Sequence, residues 1–391
     1  MCQNLSYMAR SVSGMTPFRI DIPQSDLDDL SDRLARTRWP RSLPGTGWSR
    51  GVPVDYLREL TEHWASGYDW RAHEARLNDL PQFVTEIDGL DVHLLHVRSP
   101  EPDALPLLLT HGWPNSVVEF TELIGPLTDP RAHGADPTQA FHLVVPSVPG
   151  YGFSQAPPAG FTIDRLARMW AELMANLGYH RYGTQGGDLG AYVAPRVAAV
   201  APERVVGVHI DGGFGFPTAA DVPEMSAAER AEWEQMQQWM SGGVDHHALL
   251  RAAPQTFSYA WNDSPVGLLA WMMQKFKEFT MTVPTPEQAI DRDHLLTNVS
   301  LYWFTGTSGT SSWPMYERLT VADDGGFAWP TGQRRVPSGV YGGGSALMRR
   351  LAERDNTIVH WPQGNPGSHF VAMDEPLAHA ADIRAFFKGL R

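Results

Sequence analysis

The chain has 391 residues, with 44 Asp plus Glu against 31 Lys plus Arg and a formal net charge of −13. At ~150 residues per domain, this length suggests two or three structural units or one large α/β domain with insertions. A hydrophobic share of 42%, with 14 Trp and 16 Phe, can build a sizeable core and excludes disorder as the main state. Nucleic acid is not an expected partner, because the net charge is negative and phosphate contacts need clustered Lys and Arg.

Cysteine usage and hydropathy bear on the cellular compartment. The single cysteine, Cys2, has no second cysteine with which to form an intrachain disulfide, and this favours a reducing compartment. Neither residues 1–20 nor any later stretch approaches the ~18 uninterrupted apolar residues of a membrane span, and no signal-peptide pattern is present. We therefore expect a soluble, cytoplasmic protein with no membrane partner, and the sequence leaves a homodimer open.

The first 82 residues differ in pattern from the rest of the chain. Leucines recur at helical spacing until Trp39-Pro40, and residues 39–53 are rich in proline and glycine, which predicts a helix and then a loop. Residues 56–64 can form a second helix. We predict that residues 1–82 are a wrapping N-terminal segment and not an independent domain.

From residue 83 the chain alternates between strand and helix patterns. Asp88-Gly89 joins two apolar runs and supplies the positive φ angles of a two-residue hairpin turn. Strands and helices then alternate up to residue 212. Strands are predicted at 107–110, 141–145, near Tyr182 and at 205–210, and helices at 163–177, after the cap Thr162, and after Asp188. Such alternation predicts an α/β fold with a mostly parallel, doubly wound sheet.

The alternation stops over residues 213–334, which are rich in Trp and Met and contain several helical patterns. We interpret this block as a helical lid inserted into the core. Strands at 335–341 and 357–361 and a helix from Pro376 then complete the sheet. The predicted organisation is an N-terminal segment (1–82), a first core part (83–212), the lid (213–334) and a second core part (335–391).

The most informative motif is QGGDLG at residues 185–190, between a predicted strand and a predicted helix. Small residues around a central side chain at this junction are typical of a nucleophile elbow. The central residue is Asp188, and an aspartate nucleophile attacks an sp³ carbon and forms an ester on the enzyme. Ester and amide substrates are therefore disfavoured. The hexapeptide alone would also suit an aspartate that caps a helix.

The motif HGWP at residues 111–114 directly follows a predicted strand. In hydrolases of this topology, one backbone N–H of this loop and the N–H after the nucleophile form the oxyanion hole. Trp113 and Leu189 occupy these positions and would stabilise the oxyanion formed when water attacks the enzyme ester. Trp113 is also a candidate substrate contact, although HGWP alone could be a rigid turn.

A general base is expected in the loop after the last strand, where the sequence reads GSHF at residues 367–370. The chain order nucleophile, acid, histidine places the base near the C-terminal end. Any one of the 15 histidines is more often structural than catalytic. Because His369 follows the final strand, we select it as the base that activates the hydrolytic water.

These motifs together resemble the microsomal-type epoxide hydrolases, which have the α/β-hydrolase fold with an N-terminal epoxide hydrolase segment. The resemblance covers nearly the whole chain through PFRIDIPQSDLDDLSDRLARTRWP, HGWP, PSVPGYGFS, QGGDLG, DSPVGLLAW, LYWFTGT and GSHF. It implies a wrapping meander, a helical lid, no cofactor and a small-molecule epoxide as substrate.

The resemblance also implies a two-step reaction. Asp188 would open an oxirane while lid tyrosines hydrogen-bond the leaving oxygen, and water activated by His369 would cleave the ester to give a vicinal diol. Tyr316, in PMYE, matches one family lid tyrosine, although it could be an ordinary half-buried aromatic residue. We also expect Tyr302, in LYWFTGT, to contact the substrate.

The sequence departs from the family at two positions. The second lid tyrosine lies eight residues before a Pro-Gln-Thr in the family, and here that position holds His246. An imidazole could donate a hydrogen bond in its place, or the residue could be a solvated loop histidine. The family acid, a glutamate, aligns with Ala346, so the usual partner of the histidine is missing. Such a loss can cost ~10⁴-fold in rate.

A replacement acid is available at the end of the preceding core strand. Asp211 follows the strand at 205–210 directly, as the acid does in some related haloalkane dehalogenases. The topology would place Asp211 near His369 from a neighbouring strand end. The alternative is that Asp211 caps a turn before the lid.

The leading hypothesis is an epoxide hydrolase with a relocated acid and a bulky substrate, for example from secondary metabolism. One alternative is a relative that catalyses a cyclisation or rearrangement without net hydrolysis, which the two departures favour and the retained Asp188 and His369 oppose. A binding protein without turnover is a third reading. A haloalkane dehalogenase is a lesser alternative, because such enzymes commonly have Trp directly after the nucleophile to hold the halide, where this chain has Leu189. A metal site is not predicted, because the sequence contains no HExxH motif and no close Asp/His cluster of ligand spacing.

Overall fold

The computed structural model describes residues 14–45, 47–240, 243–280, 283–322 and 327–391. Cys2 and most of the segment inspected for a signal peptide lie outside the described residues. Within these ranges, nine strands form one sheet in the order β1-β2-β3-β5-β4-β6-β7-β8-β9. The strands are β1 (Met15–Phe18), β2 (Gln82–Ile87), β3 (Leu90–Val97), β4 (Leu105–Thr110), β5 (Phe141–Pro146), β6 (Tyr182–Gly186), β7 (Val205–Ile210), β8 (Pro337–Val340) and β9 (Thr357–His360).

The sheet is antiparallel at one end and parallel over the rest. Strands β1, β2, β3 and β5 pair antiparallel in that order. Strands β5, β4, β6, β7, β8 and β9 all run parallel, and the predicted α/β sheet is confirmed. The carboxyl ends of β4, β6 and β7 therefore lie side by side at one edge of the sheet. In open α/β sheets this edge is where ligands bind.

Local sequence accounts for the elements nearest that edge. Asp88 and Gly89 have φ angles of 52° and 75°, as the predicted turn between β2 and β3 requires. All six residues of β5 are buried, which matches a strand covered by helices on both faces. The Thr162 side chain accepts a hydrogen bond from the Arg165 N–H and caps the helix that begins at Ile163.

Fifteen α-helices are assigned within the described ranges. Three belong to the N-terminal segment: α1 (Gln24–Ala35), α2 (Val54–Ser66) and α3 (Trp70–Asn78). Three flank the first part of the sheet: α4 (Thr121–Thr128), α5 (Ile163–Asn176) and α6 (Leu189–Val200). The lid contributes α7 (Ala227–Met240), α8 (His246–Ala252), α9 (Pro254–Trp261), α10 (Pro265–Thr280), α11 (Arg292–Thr305) and α12 (Trp313–Tyr316). The second core part contains α13 (Ala346–Asp355), α14 (Val371–Asp374) and α15 (Pro376–Phe387).

The N-terminal segment contacts both the sheet and the lid. Strand β1 pairs with β2 at the edge of the sheet. The Tyr56 hydroxyl donates a hydrogen bond to Glu287 at 2.6 Å, and the His63 imidazole lies 2.6 Å from the carboxylate of Asp293 on α11. Residues far apart in sequence thereby hold the lid against the rest of the chain. None of the described helices is long and apolar enough to cross a bilayer.

Candidate active site

Asp188 lies in a strained turn between β6 and α6. Its φ and ψ angles are 51° and −119°, a conformation that a non-glycine residue rarely adopts. Tight packing around the turn requires small neighbours, because a Cβ at position 190 would collide with the carbonyl oxygen of Thr110. The predicted elbow therefore exposes the Asp188 side chain at the carboxyl edge of the sheet.

The two carboxylate oxygens of Asp188 have different surroundings. Oδ1 accepts a hydrogen bond from the Trp113 N–H at 2.9 Å, and the Leu189 N–H also donates to the carboxylate. Oδ2 lies 3.5 Å from Nε2 of His369. Burial alone would raise the pKa of Asp188, but His369 and the two backbone donors outweigh burial and lower that pKa. The carboxylate is therefore ionised at neutral pH, with one oxygen held by backbone N–H groups and the other facing His369.

His369 is held in place by an aromatic neighbour and by its own backbone. Its ring stacks on Phe279 with centroids 4.8 Å apart, and its N–H donates to the Phe279 carbonyl at 3.4 Å. The side chains of His369 and Asp188 are each 33% exposed, so a water molecule or substrate can reach both. Within the described chain, the only carboxylate within 4.0 Å of a His369 ring nitrogen is that of Asp188.

The expected contact between Asp211 and His369 is not formed among the described residues. Asp211 follows β7 and packs against the elbow, where a Cβ at position 187 would lie 2.8 Å from its Oδ2. Its Oδ1 instead lies 2.6 Å from Nε2 of His379 on α15 and accepts a hydrogen bond from Gln185 at 2.8 Å. The physical reason is that the buried His379 imidazole and the buried Gln185 amide already bond to the Asp211 carboxylate. Ala346, the position of the family acid, is the exposed first residue of α13.

A network of histidines and carboxylates continues behind Asp211. His209 and His360 each place Nε2 2.9 Å from an oxygen of Asp382. Atoms of His209, Asp211 and His379 lie within 4.8 Å of one another and could hold a metal ion. Sequence spacing did not reveal this cluster, because its members come from β7, the loop after β7 and α15. The existing hydrogen bonds already pair these groups, which favours a structural network.

His246 lies inside the cavity and is not a solvated loop residue. It begins α8, and its ring stacks on the indole of Trp113 at a centroid distance of 5.0 Å. Burial, followed by the charges of His247 and Lys275, lowers the pKa of His246 well below its usual value. The imidazole is thus neutral at neutral pH and can offer one N–H as a hydrogen-bond donor.

The tyrosines expected from the family resemblance occupy different environments. Tyr302 is 1% exposed, and its hydroxyl donates to the Asn115 carbonyl at 2.8 Å. It supports the HGWP loop and lies outside the set of described cavity-lining residues, contrary to the expected substrate contact. Tyr316 is half-buried on α12; it too lies outside the set of described cavity-lining residues, but its neighbours Pro314 and Met315 belong to that set. Burial, followed by the charge of Glu317, raises the pKa of Tyr316.

Two buried residues near the nucleophile were not selected from the sequence. Tyr151 lines the cavity, and its buried hydroxyl has no hydrogen-bond partner among the described residues. The sequence feature that could have indicated Tyr151 is its position in the PGYG turn of PSVPGYGFS. The Glu119 carboxyl accepts a hydrogen bond from the Gly112 N–H at 3.4 Å. Burial, followed by the charge of Asp211, raises the pKa of Glu119 well above its usual value.

The site opens into a cavity of about 1280 Å³ between the sheet edge and the lid. Ligand pockets usually measure ~300–1,000 Å³, so this cavity is large. Six contacting rings form one wall of it, and we call them the aromatic wall. They are Trp113, His246, His247, Phe327, Trp329 and Phe216, with successive centroids 3.9–5.0 Å apart.

Comparisons with known proteins agree with this geometry. Residues 15–120 match the family model described as epoxide hydrolase N terminus, and residues 106–290 match the model described as alpha/beta hydrolase fold. A protein of Stigmatella aurantiaca, provisionally named an epoxide hydrolase, is 41% identical over 97% of this chain and 86% of its own length. Epoxide hydrolase 1 of Sus scrofa is 30% identical over 95% of this chain and 88% of its own length.

Solved structures give the same result. The juvenile hormone epoxide hydrolase of the silkworm Bombyx mori superposes with a TM-score of 0.84 at 26% identity, covering 96% of this chain and 95% of that one. The Aspergillus niger epoxide hydrolase superposes with a TM-score of 0.78 at 30% identity, covering 96% of each chain. The chain therefore belongs to the epoxide hydrolase family and has the α/β-hydrolase fold.

Proposed function

We propose that this protein hydrolyses an epoxide to a vicinal diol through an ester on Asp188. The observation that carries the proposal is the unequal environment of the two Asp188 oxygens. Oδ1 is held by the Trp113 N–H, whereas Oδ2 is free to attack and faces His369. A backside attack by Oδ2 on an oxirane carbon forms the ester bond as the carbon–oxygen bond of the ring breaks.

In the second step, water replaces the substrate on the carboxyl carbon. His369 takes a proton from a water molecule, whose oxygen then bonds to Cγ of Asp188. The negative charge develops on Oδ1, where the N–H groups of Trp113 and Leu189 stabilise it. When the intermediate collapses, the bond from Cγ to the substrate-bearing oxygen breaks, and His369 returns the proton to the leaving diol.

The oxygen of the opening oxirane needs a hydrogen-bond donor from the lid side. Tyr316 is the phenol that the family resemblance assigns to this task, and we propose His246 as a second donor. Its stack on Trp113 places the imidazole beside the nucleophile loop. Because the ring is neutral, it would donate a hydrogen bond and would not act as a strong acid.

We further propose that the substrate is a bulky apolar epoxide, for example from secondary metabolism. The cavity volume of about 1280 Å³ exceeds what a small epoxide needs. The aromatic wall extends from Trp113, at the oxyanion hole, to Phe216 and Trp329. Aromatic side chains bind large apolar faces with little loss of conformational entropy. The substrate would therefore carry an extended body beside its reactive ring.

A single turnover in ¹⁸O-labelled water with a panel of epoxides tests the chemical route. The ester mechanism places the label in the Asp188 carboxylate and leaves the first diol with an oxygen from the protein. The variant Asp188→Asn should form no ester in the same mixture. Product formed quickly by Asp188→Asn, or an isomer without added water, would instead indicate a rearrangement catalyst.

The role of Asp211 as the acid that assists His369 remains a proposal. Its support is the position beside the elbow, where a Cβ at position 187 would lie 2.8 Å from its Oδ2. Because the Asp211 carboxylate is bonded to His379, this role requires it to leave His379 for His369 during the reaction. The variant Asp211→Asn tests this role, because unimpaired hydrolysis of the covalent ester would rule it out.

A further inference from the structure

The loop that carries the Trp113 N–H is fastened to the lid by helix α11. Nδ2 of Asn298 donates a hydrogen bond to the Pro114 carbonyl at 2.8 Å. The Tyr302 hydroxyl donates to the next carbonyl, that of Asn115, also at 2.8 Å. The Ser116 hydroxyl donates to Oδ1 of Asn298 at 2.7 Å. Three consecutive residues of the loop are thus bonded to two side chains of one helix.

These hydrogen bonds are shielded from water. The exposed fraction is 0% for Asn298 and 1% for Tyr302. Leaving a buried carbonyl without a donor costs ~1–3 kcal/mol, so the loop gains little by moving away from α11. The two carbonyls belong to the first and second residues after Trp113, so bonding them to α11 limits how far the backbone beside the Trp113 N–H can shift.

The part of the loop before Trp113 is held by other hydrogen bonds, which come from the core. Nε2 of His111 accepts a hydrogen bond from the Val148 N–H at 3.1 Å, and its Nδ1 lies 3.2 Å from the Gly112 carbonyl. The core therefore fixes the residues before Trp113, and α11 fixes the residues after it. The direction of the Trp113 N–H depends on both.

We infer that Asn298 and Tyr302 are positioning residues for the oxyanion hole, acting through the backbone of Trp113. The inference rests on the proposed ester mechanism. It gives the lid a part in the chemistry of the second step, in addition to covering the cavity. Neither side chain contacts the substrate or the carboxylate in this role.

The two steps of the reaction respond differently to a displaced Trp113 N–H. During ester formation the carboxylate loses charge, so a weaker hydrogen bond to Oδ1 does not slow the attack by Oδ2. During ester hydrolysis Oδ1 gains a full negative charge, and the same hydrogen bond stabilises the transition state. A positioning defect therefore slows hydrolysis selectively, whereas a general loss of structure lowers both rates.

The chain offers a matched control elsewhere on α11, at Thr297. The Tyr68 hydroxyl and Oγ1 of Thr297 lie 3.1 Å apart, and this hydrogen bond joins the same helix to the N-terminal segment. Tyr68→Phe removes one hydroxyl from the packing of α11, as Tyr302→Phe does. Only Tyr302→Phe removes a donor from the HGWP loop.

The experiment is rapid-quench mass spectrometry of the intact protein with an accepted epoxide, for Tyr302→Phe, Asn298→Asp and Tyr68→Phe. If its buried carboxyl stays ionised, Asn298→Asp keeps an acceptor for Ser116 and removes the donor to Pro114, so Asn298→Ala, which cannot donate in any protonation state, is measured beside it. Since loss of one oxyanion donor costs ~10²–10³-fold, we expect a displaced donor to slow ester hydrolysis by ~10–100-fold. Ester should accumulate on Asp188 in the α11 variants, with ester formation within about twofold of the unmodified chain, and not in Tyr68→Phe.

Three results would overturn the inference. Unchanged hydrolysis in the α11 variants would do so, as would an equal loss in both steps or ester accumulation in Tyr68→Phe as well. Circular dichroism of each variant establishes that the fold is retained before rates are compared. If the unmodified protein never carries ester on Asp188, the proposed function itself fails, and that result is distinguishable because it needs no variant.

Discussion

The imidazole of His246 lies flat on the indole of Trp113, with the two ring planes only 10° apart. This contact places a polar ring of the lid directly against the residue whose N–H donates to Asp188. Phe279 contacts the edge of the same imidazole at 5.7 Å and also stacks on His369. The lid, the HGWP loop and His369 therefore meet through three aromatic contacts.

Replacing His246 tests whether this ring donates a hydrogen bond to the oxirane oxygen. His246→Phe keeps the stack on Trp113 but removes both nitrogens, and we expect ester formation to slow by ~10²-fold, the lower end for loss of one hydrogen-bond donor to a developing oxyanion, since Tyr316 remains. His246→Tyr restores a donor and should recover part of the rate. Pre-steady-state ester formation is the measurement, and an unchanged rate in His246→Phe would leave the ring with a packing role only.

Much of this site could be predicted because its motifs are local in sequence. The residues at 185–190 form a turn whose geometry depends on their own glycines, and HGWP follows a strand that the apolar pattern indicates. The parallel order of β4 and β6 then brings Trp113 to Asp188. Strand periodicity and turn chemistry sufficed for this part of the site.

The partner of Asp211 could not be predicted, because it depends on packing between distant elements. His379 lies on α15, a helix predicted only from its starting proline, and nothing in the local pattern indicates that its imidazole points to β7. The environment of Tyr302 was missed for a similar reason. The block that contains it was predicted to be helical, but the hydrogen-bonding partner comes from a loop 187 residues earlier in the chain.

The pair Asp211–His379 should stabilise the fold measurably. His379→Leu leaves a buried carboxylate with the Gln185 amide as its side-chain donor among the described residues, and removing a hydrogen-bond partner of a buried charged group costs ~3 kcal/mol. The double variant Asp211→Asn, His379→Leu should lose less than the sum of the single variants. Urea unfolding at pH 7 measures these free energies, and simple additivity would contradict the coupling.

The Asp211–His379 pair should also make the free energy of unfolding depend on pH, and the direction follows from the pKa of Asp211. The folded-state pKa of Asp211 is lowered, with His379 outweighing the effect of burial. A lowered carboxyl pKa contributes stability above its ordinary value of ~3.9 and loses that contribution as the pH falls through the folded-state value. The coupling measured between Asp211 and His379 should therefore persist at pH 5 and weaken only in stronger acid.

Glu119 should have the opposite effect on stability. Burial, followed by the charge of Asp211, raises its pKa, so the folded state keeps a proton that the unfolded chain releases above pH ~4.3. The contribution of Glu119 to the free energy of unfolding therefore decreases as the pH rises from ~4.3 to the folded-state pKa, by up to ~1.4 kcal/mol per pH unit. Glu119→Gln mimics the protonated carboxyl and should remove this slope. Urea unfolding from pH 5 to pH 8 measures it, and parallel curves for both proteins would contradict a protonated Glu119.

Trp329 tests whether the aromatic wall selects for substrate size. Its ring stacks on Phe216 at 3.9 Å, at the end of the wall away from Trp113. Trp329→Leu should lower kcat/KM for a polycyclic epoxide by ~10-fold, which corresponds to ~1.4 kcal/mol, and should leave a small epoxide such as styrene oxide unaffected. Trp303→Leu is the matched control, since that indole lies on α11 against Arg33 and outside the cavity. Equal losses for large and small epoxides in Trp329→Leu would show that the wall supports the fold and does not bind the substrate body.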